Sequence, residues 1–320
     1  MFKYRPVDHS ISAAFGGILR RQIIFFVLIC VLVVFFSIAS AQELAPRAHW
    51  PTPNGTNVLV VAYQKTTGDI VTDPSLPLTG VDSDIDYLQL SYQRTFNLAG
   101  RTAAIQLSVP YSQGETQGLL EGELRRRDTS GLGDTRLRLA YNIKGAPSMD
   151  VAGFQALRNT PRTIVGASVL IQAPSGDYDA DKVINIGTNR WSVKPAIGVI
   201  WPLYPTWLLE FELGAWFFGD NDDFLGETRK QDPVLSVEAH LVKRIRHGFW
   251  VSLDANFYTG GRTSIGEGVQ ANLQRNSRFG ATLVYPFKGR HAIRTSVSTG
   301  VVTETGGDFE MFTLSYIYVW

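Results

Sequence analysis

The chain ends in Phe312-Thr313-Leu314-Ser315-Tyr316-Ile317-Tyr318-Val319-Trp320 (FTLSYIYVW). Successive side chains of an extended strand point to opposite faces. Phe312, Leu314, Tyr316, Tyr318 and Trp320 therefore share one face, and Thr313 and Ser315 lie on the other. As a free sheet edge this segment would invite pairing with another chain, and closure into a barrel removes the edge. The alternation recurs upstream. Phe249, Val251, Leu253, Ala255 and Phe257 oppose Ser252, Asp254 and Asn256; Leu235, Val237, Ala239 and Leu241 oppose Ser236, Glu238 and His240; Trp207, Leu209, Phe211 and Leu213 oppose Glu210 and Glu212; Thr135, Leu137, Leu139 and Tyr141 oppose Arg136 and Arg138. One face is built for lipid and the other for water.

Read between turn signals, the pattern predicts twelve strands, near 57–63, 85–96, 101–111, 132–143, 162–173, 188–201, 206–218, 232–243, 248–259, 276–286, 291–302 and 311–320. Most reach the roughly 9 to 11 residues that a tilted strand needs to cross a bilayer. Tight connections at 97–100, 202–205, 244–247 and 287–290 alternate with long ones at 64–84, 112–131, 174–187, 219–231, 260–275 and 303–310. Outer-membrane barrels have short periplasmic turns and long outer loops. The expected fold is thus all-β, a transmembrane antiparallel up-and-down barrel of twelve strands with both ends periplasmic. Residues 144–161 break the rhythm, since a periplasmic connection should be short. They predict a short periplasmic helix with Val151, Phe154 and Leu157 on one face, either a cover for the barrel rim or a plug or partner-binding element.

The composition agrees with this reading. In 320 residues, 30 basic and 29 acidic side chains nearly cancel, and charged residues are only 18%. Nucleic-acid binding calls for clustered Lys and Arg, so no nucleic-acid partner is expected. Basic Lys3, Arg5, Arg20 and Arg21 precede an uncharged run, Ile23 to Phe36, and then Ala39-Ser40-Ala41. This is the pattern of a secretory signal peptide; the alternative, a helical anchor, would need a run of ~20 residues. Residues 1–41 are read as the signal and 42–320 as the barrel domain. The one cysteine, Cys30, lies in the signal, so disulfides and thiolate-rich metal sites are not expected.

Strand parity turns Arg136, Arg138, Lys194, Glu210, Glu212, Glu238, His240, Asp254 and Arg294 inward, as candidate lumen-lining residues. They form either a hydrated structural network or a selectivity lining. Twelve strands spaced ~4.8 Å and tilted ~40° give a backbone diameter of roughly 24 Å, which suits a small solute or a filled, gated pore. Glu238, His240 and Asp254 could orient a histidine base, but there is no G-x-S-x-G elbow, and no enzyme activity is expected. Asp177, Asp179 and Asp181 open like a calcium loop, which then fails because Lys182 stands where Gly is needed and Thr188 where a bidentate Glu is needed. No metal or cofactor is expected. Trp201, Trp207, Trp216, Trp250 and Tyr204 are read as interfacial girdle aromatics.

Five stretches carry a family resemblance: Ala45 to Asn57 (APRAHWPTPNGTN), Ser130 to Asp134 (SGLGD), Ala173 to Pro195 (APSGDYDADKVINIGTNRWSVKP), Tyr258 to Thr263 (YTGGRT) and Gln274 to Gly280 (QRNSRFG). In this order they resemble the outer-membrane family named for the MetA pathway of phenol degradation. The resemblance implies a porin-like barrel for passive uptake of small hydrophobic or aromatic compounds and transfers no binding residues. The terminal Trp320, preceded at alternate positions by aromatics, also resembles the final-strand signal read by the barrel assembly machinery. Expected partners are that machinery during biogenesis, outer-membrane lipid and lipopolysaccharide, and the solute; the alternative is a structural or interaction barrel that transports nothing. The oligomeric state is not legible.

Overall fold

The computed structural model describes residues 44–71, 78–120 and 122–320. The expected export signal, residues 1–41, lies outside them. Twelve strands form the wall: β1 (Asn57–Val71), β2 (Leu78–Leu98), β3 (Arg101–Leu120), β4 (Arg136–Lys144), β5 (Ile164–Gln172), β6 (Ser192–Tyr204), β7 (Trp207–Phe218), β8 (Val234–Arg246), β9 (Phe249–Gly260), β10 (Gln274–Phe287), β11 (His291–Thr303) and β12 (Gly306–Val319). Each pairs antiparallel with its chain neighbours. The ring closes where β1 meets β12, from Val58↔Val319 to Val71↔Gly306. The apolar terminal strand thereby gains its second partner, and neither edge is left open.

The predicted core of almost every strand is recovered, with one systematic difference. Stretches expected as loops at 64–84 and 112–131 are largely strand. β2 and β3 run 21 and 20 residues, twice what a bilayer crossing requires. β3 then continues its ladder with an outer strand, Glu123–Leu132, from Tyr111↔Leu132 to Leu120↔Glu123. Together these make a tall wall beyond the membrane. The extensions, such as Asp82-Ser83-Asp84 and Gly114-Glu115-Thr116-Gln117, are polar on both faces. A segment with no lipid-facing side lacks the alternation by which the other strands are recognised. The connections 219–231 and 260–275 also carry order, as four short strands (Asn221–Phe224, Glu227–Gln231, Thr263–Ile265 and Gly268–Val269) that form a separate small sheet.

The outer surface carries the apolar parity set. Leu88, Leu90, Leu107, Ile197, Phe211, Leu213, Leu253, Leu283, Val297 and Leu314 are all exposed, a belt that water would penalise and lipid accommodates. At the short-turn end Trp201 and Tyr204 stand outward. Trp216 and Trp250 do not join that girdle; both are buried inside the barrel. Their own parity explains the correction, because Trp216 shares its strand face with Glu210 and Glu212, and Trp250 shares its face with Ser252 and Asp254.

The one helix among the described residues, α1 (Val151–Asn159), is capped by Asp150, whose carboxylate accepts the Gly153 backbone N–H at 2.8 Å. Its packing face is narrower than expected: Leu157 is buried and Phe154 partly so, whereas Val151 is exposed. Leu157 joins Ala146, Met149, Ile164, Ile200, Leu208, Val242, Trp250 and Val284 in an apolar cluster at the short-turn end, against which Trp50 and Phe154 pack. The helix covers that rim and rests on residues that precede β1.

Candidate functional site in the barrel lumen

Polar strand faces curled into a closed ring must satisfy one another, since an unpaired buried charge is costly. Lys194 on β6 reaches Glu212 Oε1 at 3.0 Å on β7 and Glu238 Oε1 at 2.9 Å on β8. His240 Nε2 lies 3.7 Å from Glu238 Oε2, and His240 Nδ1 lies 2.8 Å from Asp254 Oδ1 on β9. Asp254 Oδ2 accepts the Thr282 hydroxyl of β10 at 2.8 Å; Thr282 meets Ser296 of β11 at 3.1 Å, and Ser296 Oγ accepts from Arg294 Nε at 3.4 Å. Six consecutive strands are laced together by one polar chain.

Both ends of that chain hold the segment before β1. His49 Nε2 lies 2.8 Å from Glu212 Oε2, and Arg294 donates to the Leu44 carbonyl at 3.2 Å. Two further candidates grip the same segment. Glu210 accepts the Arg47 backbone N–H at 2.7 Å, and Arg138 donates to the Ala48 carbonyl at 3.1 Å. Residues 44–50 thus lie inside the barrel, with His49 only 6% exposed. Below them the Arg47 guanidinium packs over Trp50 and Trp250, 4.5 and 5.3 Å from the ring centres. Arg136 stands apart and donates to Gln172 Oε1 at 3.1 Å. Of the nine expected residues, the structure draws all but Arg136 onto this plug or into the chain that holds it.

Strand alternation does not identify Arg47, Ala48 and His49 as lumen residues. A signal existed in glycines inside strands, which mark close approach of another group. A Cβ on Gly198 would stand 2.2 Å from His49 Cδ2, one on Gly166 2.6 Å from His49 Nδ1, and one on Gly280 2.7 Å from Leu44 Cδ1. Three glycines on the inward face thus form the bed of the plug.

At the opposite mouth, Asp134 organises the connection between β5 and β6. Its carboxylate accepts from Gln172 Nε2, the Gly176 N–H, the Thr188 N–H and the Thr188 hydroxyl. Asp177 Oδ2 accepts the Leu132 N–H at 2.6 Å, and Asp179 Oδ1 accepts the Asp181 N–H at 3.1 Å. Two of the three carboxylates in the Asp177, Asp179 and Asp181 series thus hold backbone N–H groups. Arg190, buried by this fold, sits 4.6 Å above the Phe218 ring. Burial pushes its pKa down to about 10, with the neighbouring Arg229 charge acting in the same direction. The SGLGD and APSGDYD stretches are therefore two halves of one structure.

Among solved structures, the COG4313 outer membrane channel from Pseudomonas putida F1 matches with a TM-score of 0.74 and 23% identity, covering 87% of this chain and 100% of that one. The transport unit of the autotransporter AIDA-I from Escherichia coli matches at 0.50 with 9% identity, over 87% of this chain and 93% of that one. At these identities the likeness is one of fold, a closed membrane barrel. No curated protein matches the chain. The family model described as "Putative MetA-pathway of phenol degradation" matches residues 55–316, and the chain belongs to that family.

Proposed function

We propose that this protein is a passive outer-membrane channel for small hydrophobic or aromatic compounds, exported by its N-terminal signal and inserted with its short turns in the periplasm. The observation that carries the reading is a closed barrel whose lumen is lined by polar side chains and occupied by a short segment held through hydrogen bonds. A purely structural barrel needs only a filled interior, and an apolar core would fill it at less cost than buried charges. A hydrogen-bonded plug between polar walls can instead be exchanged for water, because both surfaces tolerate hydration. The Pseudomonas putida relative is an outer membrane channel, and the family description points to phenol degradation; both support a channel serving aromatic compounds. The lipid-facing belt gives the barrel its membrane partner, with lipopolysaccharide at the tall outer wall and the assembly machinery as transient partners. The His240–Asp254 pair is engaged with Glu238 and Thr282 inside the wall and serves the lumen network, not catalysis.

Solute entry into liposomes tests the proposal. Reconstituted protein should accelerate entry of a phenol-class solute above the rate of protein-free vesicles of the same lipid. Entry at the lipid background, with the barrel shown folded by its heat-modifiable gel migration, would favour the structural reading.

A further inference from the structure

Several cations elsewhere have carboxylate partners, Lys194 with Glu212 and Glu238, Lys65 with Asp84, Arg126 with Glu115 and Lys230 with Asp220, while the lumen arginines Arg136 and Arg294 stand apart from each other and donate to neutral oxygens. At the short-turn end cations without a carboxylate partner are instead gathered together. There α1 and the turns after β6 and β8 enclose a groove of about 360 Å³ lined by Arg158, Asn159, Thr206, Arg244, Arg246 and His247, with no carboxylate in its lining. None of its three arginines, nor His247, makes an ion pair among the described residues. Arg158 Nη1 instead touches the His247 ring, and Arg244 donates to the Arg158 carbonyl at 2.7 Å. The Arg244 Nε is buried without an acceptor among the described residues. Cations gathered this closely repel one another unless an anion sits among them.

The groove's position indicates which anion. Arg246 lies 5.3 Å from the Tyr285 ring and 5.8 Å from Phe249, and donates to the Tyr285 hydroxyl at 3.0 Å. Tyr285 is exposed on the lipid-facing surface, and aromatics there mark headgroup depth. Ile245, between the two arginines, is exposed as well and offers an apolar contact beside the charge. A groove with guanidinium forks, neutral Asn and Thr donors and an adjoining apolar wall fits a phosphodiester on a glycerol backbone.

We propose that this groove binds the headgroup of an anionic phospholipid from the leaflet at the short-turn end, tying α1 to the membrane. Native mass spectrometry of the full barrel in detergent, with added phosphatidylglycerol or phosphatidylcholine, tests it. The wild type should retain phosphatidylglycerol preferentially. Replacing Arg158, Arg246 and His247 together by Gln should weaken that retention by about 25-fold, at about fivefold per guanidinium. Arg246→Gln alone, an exposed position, should cost about fivefold and decides the matter if the triple variant does not fold. Equal retention of the two lipids, undiminished retention in the folded variants, or displacement of the lipid by excess inorganic phosphate would each overturn the proposal, the last by making the groove a site for free phosphate.

Discussion

Lys194 is the residue on which the lumen chain turns, because its ammonium sits between two carboxylates that have little access to water: the Glu212 and Glu238 side chains are 14% and 4% exposed. Lys194→Met leaves both without that partner, and breaking a buried pair by removing one member costs about 3–5 kcal/mol. Urea unfolding of the reconstituted barrel at neutral pH should show a loss of that size, partly restored by adding Glu238→Gln; no loss would mean the pair is already hydrated. Gly198 tests the plug without removing any polar contact. Its φ is not in the left-handed region, so Ala is acceptable to the backbone, yet the new methyl would collide with the His49 ring. Gly198→Ala should leave the barrel heat-modifiable and raise its single-channel conductance in planar bilayers, together with faster proteolysis before Asn57. A Gly198→Ala protein with wild-type conductance would show that the segment does not limit the lumen.

Strands that touch lipid were legible in the sequence because lipid and lumen impose opposite demands at alternate positions, as β7 shows with Leu209, Phe211 and Leu213 against Glu210 and Glu212. The extensions of β2 and β3 were not, because both of their faces meet water. Nor was the plug, because APRAHWPTP has no period and its environment is made by strands distant in the chain, from β4 to β9. α1 lay between these cases: its existence was readable, its packing face only in part. Removing its cap, Asp150→Ala, should cost about 1 kcal/mol and speed amide exchange across 151–159 while the wall strands stay protected. His247, at the turn α1 covers, has its pKa held below 6.5 by burial first and by the Arg158 charge second. A depressed histidine stabilises the fold above pH 6.5, and that contribution is lost as pH falls through the folded pKa. Arg158→Gln should move the His247 titration, followed by its ring proton resonances in detergent, up toward 6.5; an unmoved midpoint would place the two groups out of electrostatic reach.

For the molecule as a whole, selectivity depends on what the wall presents once the plug has moved. With the plug seated, Arg138 is engaged with the Ala48 carbonyl and Glu210 with the Arg47 N–H, so wall charges are bound to the segment rather than to permeating ions. Displacing the plug withdraws Arg47 and His49, frees Glu210 and leaves Glu212 with Lys194. Of the nine expected lumen residues, the cations Arg136, Arg138, Lys194 and Arg294 remain with the carboxylates Glu210, Glu212, Glu238 and Asp254, and the buried Arg278 of β10 stays engaged with Ser298 and the Phe309 carbonyl. Lys194 is committed to its two carboxylates, so the arginines of β4 set much of the remaining positive potential, and a charge in a narrow, low-dielectric passage acts strongly on ions. We therefore expect Arg136→Ala with Arg138→Ala to shift the reversal potential toward cation selectivity. The shift should be larger in the Gly198→Ala background than in the wild type, where the Arg138 substitution must first loosen its own hold on the segment. Reversal potentials in a salt gradient check this, and an unchanged selectivity in both backgrounds would move the selective constriction away from β4, toward the mouth organised by Asp134.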